Sequence, residues 1–118
     1  MARLLFVVDG VVLKTYELDK DTFVFGRKGN ADVLLDDPVV SGRHAQVMRV
    51  ASDYLDGHHD FFIEDLGSTN GTLLNGKRIT RARLQHGDTI QISRHKFAFD
   101  SGQVPDLETT AIYLPDDD

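Results

Sequence analysis

The chain lacks cysteine and tryptophan, and it has only three prolines in 118 residues. Without cysteine there is no disulfide, no thiol nucleophile and no thiolate metal site. Long apolar runs are scarce as well: the N-terminal run Leu4–Val8 has five residues, too few for a signal peptide or a membrane span. The length fits one domain with a real core but not two. We therefore expect one soluble, cytoplasmic domain without membrane association.

A broad excess of basic residues is also missing, since the formal net charge is −6. All 13 Lys and Arg residues lie within residues 1–100, where 14 acids nearly balance them. The other five acids, at positions 106, 108, 116, 117 and 118, lie in the last 18 residues. We expect no nucleic-acid binding on this balance, because a duplex partner usually requires a broad basic surface. However, the span from Leu66 to Arg83 has four cations and no acid, which favours a small anionic partner.

No window of ten or more residues has a helical period, so the pattern indicates strands. Apolar or alternating segments predict strands at residues 4–8, 11–18, 22–25, 32–36, 44–50, 60–66, 72–74, 89–93 and 96–99, with short segments around Ile79 and Leu84. Asp9-Gly10 and Asn75-Gly76 are typical two-residue hairpin turns. Short strands at this spacing, separated by Gly, Asn and Asp, predict an all-β sandwich. We place the folded domain at residues 1–100 and a flexible acidic tail at 101–118.

Three loops at strand ends contain groups that can hold an anion. They are Gly26-Arg27, the segment from Ser41 to His44, and the segment Ser68-Thr69-Asn70-Gly71. The last of these is framed by two apolar strands and by two glycines, which tolerate positive φ and close backbone approach. Guanidinium groups and short hydroxyl donors form charge-assisted hydrogen bonds with a phosphate.

In order along the chain, the segments FGR, SGRHAQV, DLGSTNGTLLNG and LQHGD resemble the forkhead-associated (FHA) domain over about Arg3–Asp100. The resemblance implies an eleven-strand β-sandwich of two sheets whose loops bind phosphothreonine peptides without catalysis. The sequence departs from the common pattern at Gly42, where the family often has Arg or Asn. This departure implies that one phosphate or backbone contact is missing.

The resemblance also implies a role for each matching residue. Arg27 and Ser41 match phosphate contacts, the serine through its hydroxyl and its own amide. Thr69 matches a further phosphate contact, Asn70 matches the asparagine that holds the peptide backbone, and Arg43 matches a position that is often basic. Gly26, His44 and Gly71 match positions that shape the loops, and we expect His44 to be a half-buried hydrogen-bonding side chain.

Other interpretations of single motifs are weaker. Ser41 and His44 are residue types that can serve as a catalytic nucleophile and its general base. No third orienting group or oxyanion loop accompanies them, so we predict no enzyme activity. His58, His59 and Asp60 are the types that bind metals, but neighbouring strand-edge side chains point to opposite faces. We therefore expect no metal and no other cofactor.

The predicted function is a phosphothreonine-recognition module in Ser/Thr-kinase signalling, with phosphorylated proteins such as the kinase or its substrates as partners. The alternative is a scaffold of the same fold that binds proteins independently of phosphate. The loops Ser93-Arg94-His95 and Lys77-Arg78 would read side chains that follow the phosphothreonine.

The tail adds a further candidate ligand. Thr109 and Thr110 follow Glu108, in a stretch similar to the phosphorylation segments beside some bacterial FHA domains. Phosphorylation there would give the domain a ligand in its own chain. A tail that only improves solubility is the open alternative.

Overall fold

The computed structural model describes residues 2–52 and 58–102, and within these ranges it contains eleven strands and no helix. The strands are β1 (Arg3–Val8), β2 (Val11–Glu17), β3 (Thr22–Gly26), β4 (Val33–Leu34), β5 (Ala45–Ala51), β6 (His59–Asp65), β7 (Thr72–Leu74), β8 (Lys77–Ile79), β9 (Arg81–Arg83), β10 (Thr89–Ile92) and β11 (His95–Asp100). The predicted all-β, eleven-strand fold is confirmed.

The strands form two sheets that pack face to face. One sheet has six strands in the order β2-β1-β11-β10-β7-β8, and the other has five in the order β4-β3-β5-β6-β9. The short pair β3–β4 is parallel, whereas β5 pairs with β3 and β6 in antiparallel register. Such two-layer packing buries the inner faces of both sheets.

The core follows from the alternation of side chains along each strand. In β5, Ala45 and Val47 are buried, while Gln46 and Met48 on the opposite face are only half-buried, as the sequence predicts. Across the two sheets, the rings of Phe25 and Phe97 meet edge to face with centroids 5.1 Å apart. The largest fully buried apolar side chains are those of Phe25, Phe97, Phe99, Leu4, Leu18, Ile63, Ile90, Ile92, Val33, Val40 and Val47.

Two differences between predicted and observed strands have a clear physical cause, and the ends of the other predicted ranges agree with the structure or differ by one residue. A strand was predicted over residues 32–36, but β4 has two residues, because flanking aspartates take other partners. The Asp32 carboxylate accepts a hydrogen bond from the Val24 amide, and Asp37 opens a turn in which its carbonyl accepts from the Val40 amide. Likewise, β5 begins at Ala45 and not at His44, whose backbone belongs to the preceding loop.

The ends of β11 mark the two ends of the sandwich. His95, at its start, lies 3.0 Å from the Asp37 carboxylate in the β4–β5 loop. Asp100, at its end, pairs with Arg3 at the start of β1. The β4–β5 loop and the departure point of the tail are therefore at opposite ends of the molecule. The tail residues Thr109 and Thr110 lie outside the described residues.

Residues 2–52 and 58–102 contain no helix with the length and apolar content needed to cross a membrane.

Candidate functional site

The three predicted loops are bonded to one another at one end of the sandwich. The Arg27 amide donates to the carbonyls of Ser41 and Gly42, both at 3.1 Å, which joins the β3–β4 and β4–β5 loops. The Thr69 amide donates to Ser41 Oγ at 3.2 Å, and Asn70 Nδ2 donates to the Val39 carbonyl at 2.8 Å. The β6–β7 loop is thereby joined to the same β4–β5 loop. The structure thus brings together the loops that contain Arg27, Ser41, Thr69 and Asn70. No hydrogen bond among the described residues joins the Arg43 side chain to this set.

Gly26 makes the first of these contacts sterically feasible. A Cβ atom at this position would lie 2.0 Å from the Gly42 carbonyl oxygen and 2.9 Å from its carbonyl carbon. Because both are backbone atoms, no side-chain rotation could relieve the overlap. The glycine therefore sets the close approach of the β3 end to the β4–β5 loop.

The Arg27 side chain is fixed at Nε, while its two terminal nitrogens are available to a ligand. Its Nε donates to the Val40 carbonyl at 2.9 Å, while the residue as a whole is exposed. A guanidinium has five N–H donors, and no hydrogen bond among residues 2–52 and 58–102 uses the two terminal nitrogens of Arg27. The side chain is thus held along the loop, and its terminal fork remains able to bind an anion bidentately.

The polar side chains beside Arg27 also keep donors and acceptors in reserve. Ser41 Oγ accepts the Thr69 amide, so its own O–H can still donate to a ligand. Asn70 uses one N–H of its amide for Val39, so its Oδ1 and second N–H can bind a peptide backbone. Thr69, Asn70 and Arg43 are exposed, as ligand contacts require.

His44 is buried more completely than we expected. Its exposed fraction is 0%, against the half-buried position predicted from sequence. Nε2 lies 2.8 Å from the Gly71 carbonyl and Nδ1 lies 3.2 Å from the Ser41 amide nitrogen. Since an amide can only donate, Nδ1 is the acceptor and Nε2 carries the proton. This assignment engages the Ser41 amide with His44, so in this structure that amide is not free for a phosphate.

Asp65 organises the β6–β7 loop, a role that sequence reasoning missed. One carboxylate oxygen accepts from the amides of Gly67 and Ser68, and the other accepts from the hydroxyls of Ser68 and Thr72, all between 2.6 and 3.0 Å. The available signal was an aspartate at the end of a strand, directly before small turn residues, which is where such side chains bond the following amides. The four bonds hold Thr69 and Asn70 at the tip of a braced loop.

The pKa of Asp65 lies below its ordinary value of 3.8. Burial acts in the opposite direction, but the hydrogen bonds from Ser68, Thr72 and Gly67 to the carboxylate together outweigh it. A lowered pKa in the folded state means that the ionised carboxylate stabilises the loop above about pH 3.8, the ordinary value for aspartate. This contribution is lost as the pH falls through the folded-state pKa.

Asp37 is a second unpredicted residue of the site region. Its carboxylate accepts from the Val39 amide at 3.1 Å, from Ser93 Oγ at 3.1 Å and from His95 Nε2 at 3.0 Å. The bond from Val39 is the largest cause that lowers the pKa of Asp37. Asp37 thereby fixes the β10–β11 turn, which was expected to read ligand side chains, against the β4–β5 loop.

Gly71 and Arg78 meet at the other side of the site. Gly71 has φ +89°, a conformation that favours glycine, and a Cβ there would lie 2.6 Å from Nε of Arg78. The Arg78 guanidinium therefore lies against the backbone next to Asn70. Lys77-Arg78 lies in β8 and not in a loop as predicted, and its role in reading ligand residues remains a prediction.

Among the residues that the structure describes, no group of three or more His, Asp or Glu side chains could hold a metal ion. This includes His58, His59 and Asp60. The arrangement around Arg27 offers donors for an anion, and the imidazole next to Ser41, that of His44, is buried and bonded at both nitrogens.

The chain belongs to the FHA domain family, whose model matches residues 23–93. Members of this family are binding modules, not enzymes. The matched span covers β3 to β10 and therefore includes all three loops of the site.

Two curated relatives show the same family. The chain is 36% identical over 85 residues to an oxoglutarate dehydrogenase inhibitor of Corynebacterium jeikeium, covering 72% of this chain and 54% of that protein. It is 37% identical over 89 residues to the glycogen accumulation regulator GarA of Mycolicibacterium smegmatis, covering 75% and 52%. The chain thus spans about half the length of the curated relatives it matches.

A solved structure gives the corresponding comparison of folds. Mycobacterium tuberculosis EmbR, in complex with a low-affinity phosphopeptide, superposes with a TM-score of 0.71 at 31% identity. The match covers 85% of this chain and 24% of that one.

Proposed function

We propose that this chain is a phosphothreonine-peptide recognition module in cytoplasmic Ser/Thr-kinase signalling. The observation that carries the proposal is the convergence of Arg27, Ser41, Thr69 and Asn70 on one exposed, hydrogen-bonded set of loops. The relation to a phosphopeptide-bound FHA protein supports it. The partners are then phosphorylated proteins, such as a Ser/Thr kinase or its substrates.

The chemistry of the loops fits a phosphate better than a carboxylate. A phosphothreonine has nearly two negative charges and three acceptor oxygens. The terminal nitrogens of Arg27, the Ser41 hydroxyl and the exposed Thr69 hydroxyl can each supply a donor to a different oxygen, while Asn70 is left for the peptide backbone. A carboxylate has only two oxygens and would leave part of this set unpaired.

The proposal is tested with an oriented library of phosphothreonine peptides and the same library with unmodified threonine. We expect micromolar or tighter binding of selected phosphopeptides and no measurable binding of their unmodified forms, because most of the contacts are directed at the phosphate. Equal binding of both forms would contradict the proposal and would favour a phosphate-independent scaffold.

We further propose that a tail phosphorylated at Thr109 or Thr110 is a ligand for a second copy of the chain. The tail departs after Gly102, at the end of the sandwich opposite the site. A return path must pass the length of β11, about 20 Å for its six residues. The path must then continue beyond the end of β11 and across the loops to the site. Seven residues lead from Gly102 to Thr109, about 25 Å when fully extended, so the tail has little length to spare for reaching the site of its own copy. Binding to a second copy is not limited by this length and would join molecules head to tail.

The tail proposal is tested on semisynthetic protein phosphorylated at Thr109 or Thr110, by sedimentation over a range of concentrations. We expect concentration-dependent association that disappears when Arg27 is replaced by Ala in the phosphorylated protein. A phosphorylated protein that stays monomeric, with unchanged NMR signals at Arg27 and Asn70, would rule out self-recognition. A monomer with shifted signals at these two residues would show instead that the tail reaches its own site.

A further inference from the structure

Lys28 lies across Gly42, the position where the sequence departs from the common family pattern. A Cβ atom at Gly42 would lie 2.9 Å from both Cγ and Cε of Lys28 and 3.5 Å from its Cδ. The aliphatic stem of the lysine therefore occupies the space that a side chain at position 42 would take. Glycine at 42 and a long side chain at 28 fit each other sterically.

The backbone holds Lys28 in this place. Its amide donates to the Gly42 carbonyl at 3.3 Å, and its own carbonyl accepts the Ala31 amide at 3.0 Å, which closes a turn. The Arg27 amide shares the Gly42 carbonyl. Lys28 is thus fixed directly beside Arg27, and its stem runs along the loop that contains Ser41.

The position of Cε determines where the charge is. The ammonium nitrogen is one bond beyond Cε, so it lies within the reach of a side chain from position 42, the residue that follows Ser41 in the chain. Lys28 is exposed, and none of the ion pairs in the described part of the chain uses it. By contrast, the Lys20 ammonium is paired with the Asp32 carboxylate. The charge of Lys28 is available to a ligand.

We propose that Lys28 supplies the phosphate-directed contact that position 42 lacks, with its ammonium binding the phosphate of a phosphothreonine ligand beside the Arg27 guanidinium. This inference rests on the proposed phosphothreonine recognition. It assigns Lys28 a binding role and assigns Gly42 the role of leaving room for it. A partly solvated ammonium–phosphate contact of this kind changes affinity by a factor of about three to ten.

The test measures affinity for one library-selected phosphothreonine peptide and for its unmodified form. We expect Lys28→Met to weaken phosphopeptide binding about three- to tenfold, with an unchanged NMR fingerprint outside the loops. The matched control is Lys14→Met on β2, which removes the same charge from an exposed residue of another strand and should leave affinity nearly unchanged.

Two further variants separate a local contact from a general loss of charge. Gly42→Ala keeps the net charge but displaces the lysine stem, so it should reproduce most of the Lys28→Met loss. The double variant Lys28→Ala with Gly42→Arg removes the stem beyond Cβ and moves the cation to position 42, where the vacated space admits it, and should restore affinity.

The outcomes distinguish this inference from the function on which it rests. If the wild-type protein binds the phosphorylated and unmodified peptides equally, phosphothreonine recognition itself fails. If the wild type requires the phosphate but Lys28→Met binds as tightly as Lys14→Met, the inference about Lys28 is overturned while the function stands.

Discussion

Replacing Arg27 by Ala is expected to weaken binding of a phosphothreonine peptide by about 100-fold or more, while the fold remains intact. The physical reason is that the guanidinium offers two terminal nitrogens to the phosphate, and each charge-assisted bond contributes about 1.5–3 kcal/mol. The fold should survive because the side chain is exposed and, within the part of the chain that the structure describes, makes one bond, from Nε to the Val40 carbonyl. The measurement is isothermal titration of the variant with a library-selected phosphopeptide.

Two control variants make the Arg27 result specific. Arg83→Ala removes the same charge from β9, where the side chain pairs with Asp60, and should change affinity less than about twofold because exposed pairs contribute little. Arg27→Lys keeps the charge but loses the bidentate fork, so an intermediate loss is expected. Binding by Arg27→Ala as tight as that of the wild type would place the phosphate elsewhere.

Among the variants proposed for this chain, Gly26→Ala is expected to cause the largest loss of stability, about 3 kcal/mol or more in the free energy of unfolding. The new Cβ would lie 2.0 Å from the Gly42 carbonyl oxygen, so the β4–β5 loop would have to move away from β3. That movement breaks the bonds from the Arg27 amide to the Ser41 and Gly42 carbonyls. Phosphopeptide affinity should therefore fall together with stability.

The same loop supplies a matched control for Gly26. A Cβ at Gly29 would meet no atom within 4 Å, and this glycine does not have a positive φ. Gly29→Ala should therefore change the free energy of unfolding by less than about 1 kcal/mol. Chemical denaturation of both variants measures the difference, and equal stabilities would contradict the steric account of Gly26.

The fold was predictable because its signals are local. Period-two alternation in β5 and the Asn75-Gly76 turn depend on near neighbours in the chain, and the structure shows the strand and a turn with both residues at positive φ. The boundaries of β4 were not predictable in this way. They depend on where the Asp32 and Asp37 carboxylates find partners, and those contacts come from the folded arrangement.

The site was predictable only as a set of residue types. The sequence placed Arg27, Ser41 and Asn70 in loops, but it could not show that these loops bond to each other. Asp37 and the stem of Lys28 act through contacts that span up to 58 residues of chain, and a linear pattern contains no record of them. The bonds of Asp65 reach only two to seven residues along the chain, so its role was missed although a local signal was present. Complete burial of His44 was missed for the same reason, because its partners Ser41 and Gly71 lie on two different loops.

The most direct measurement of the central claim is an NMR titration of the wild-type protein with one library-selected phosphothreonine peptide. Matched titrations use the same peptide with phosphoserine and with unmodified threonine. We predict that the phosphothreonine peptide shifts the amides of Arg27, Ser41, Thr69 and Asn70, and that the unmodified peptide leaves them unchanged. The phosphoserine peptide should bind several-fold more weakly, since one buried methyl contributes about 1 kcal/mol. Shifts confined to other surfaces, or identical shifts with the unmodified peptide, would contradict the account.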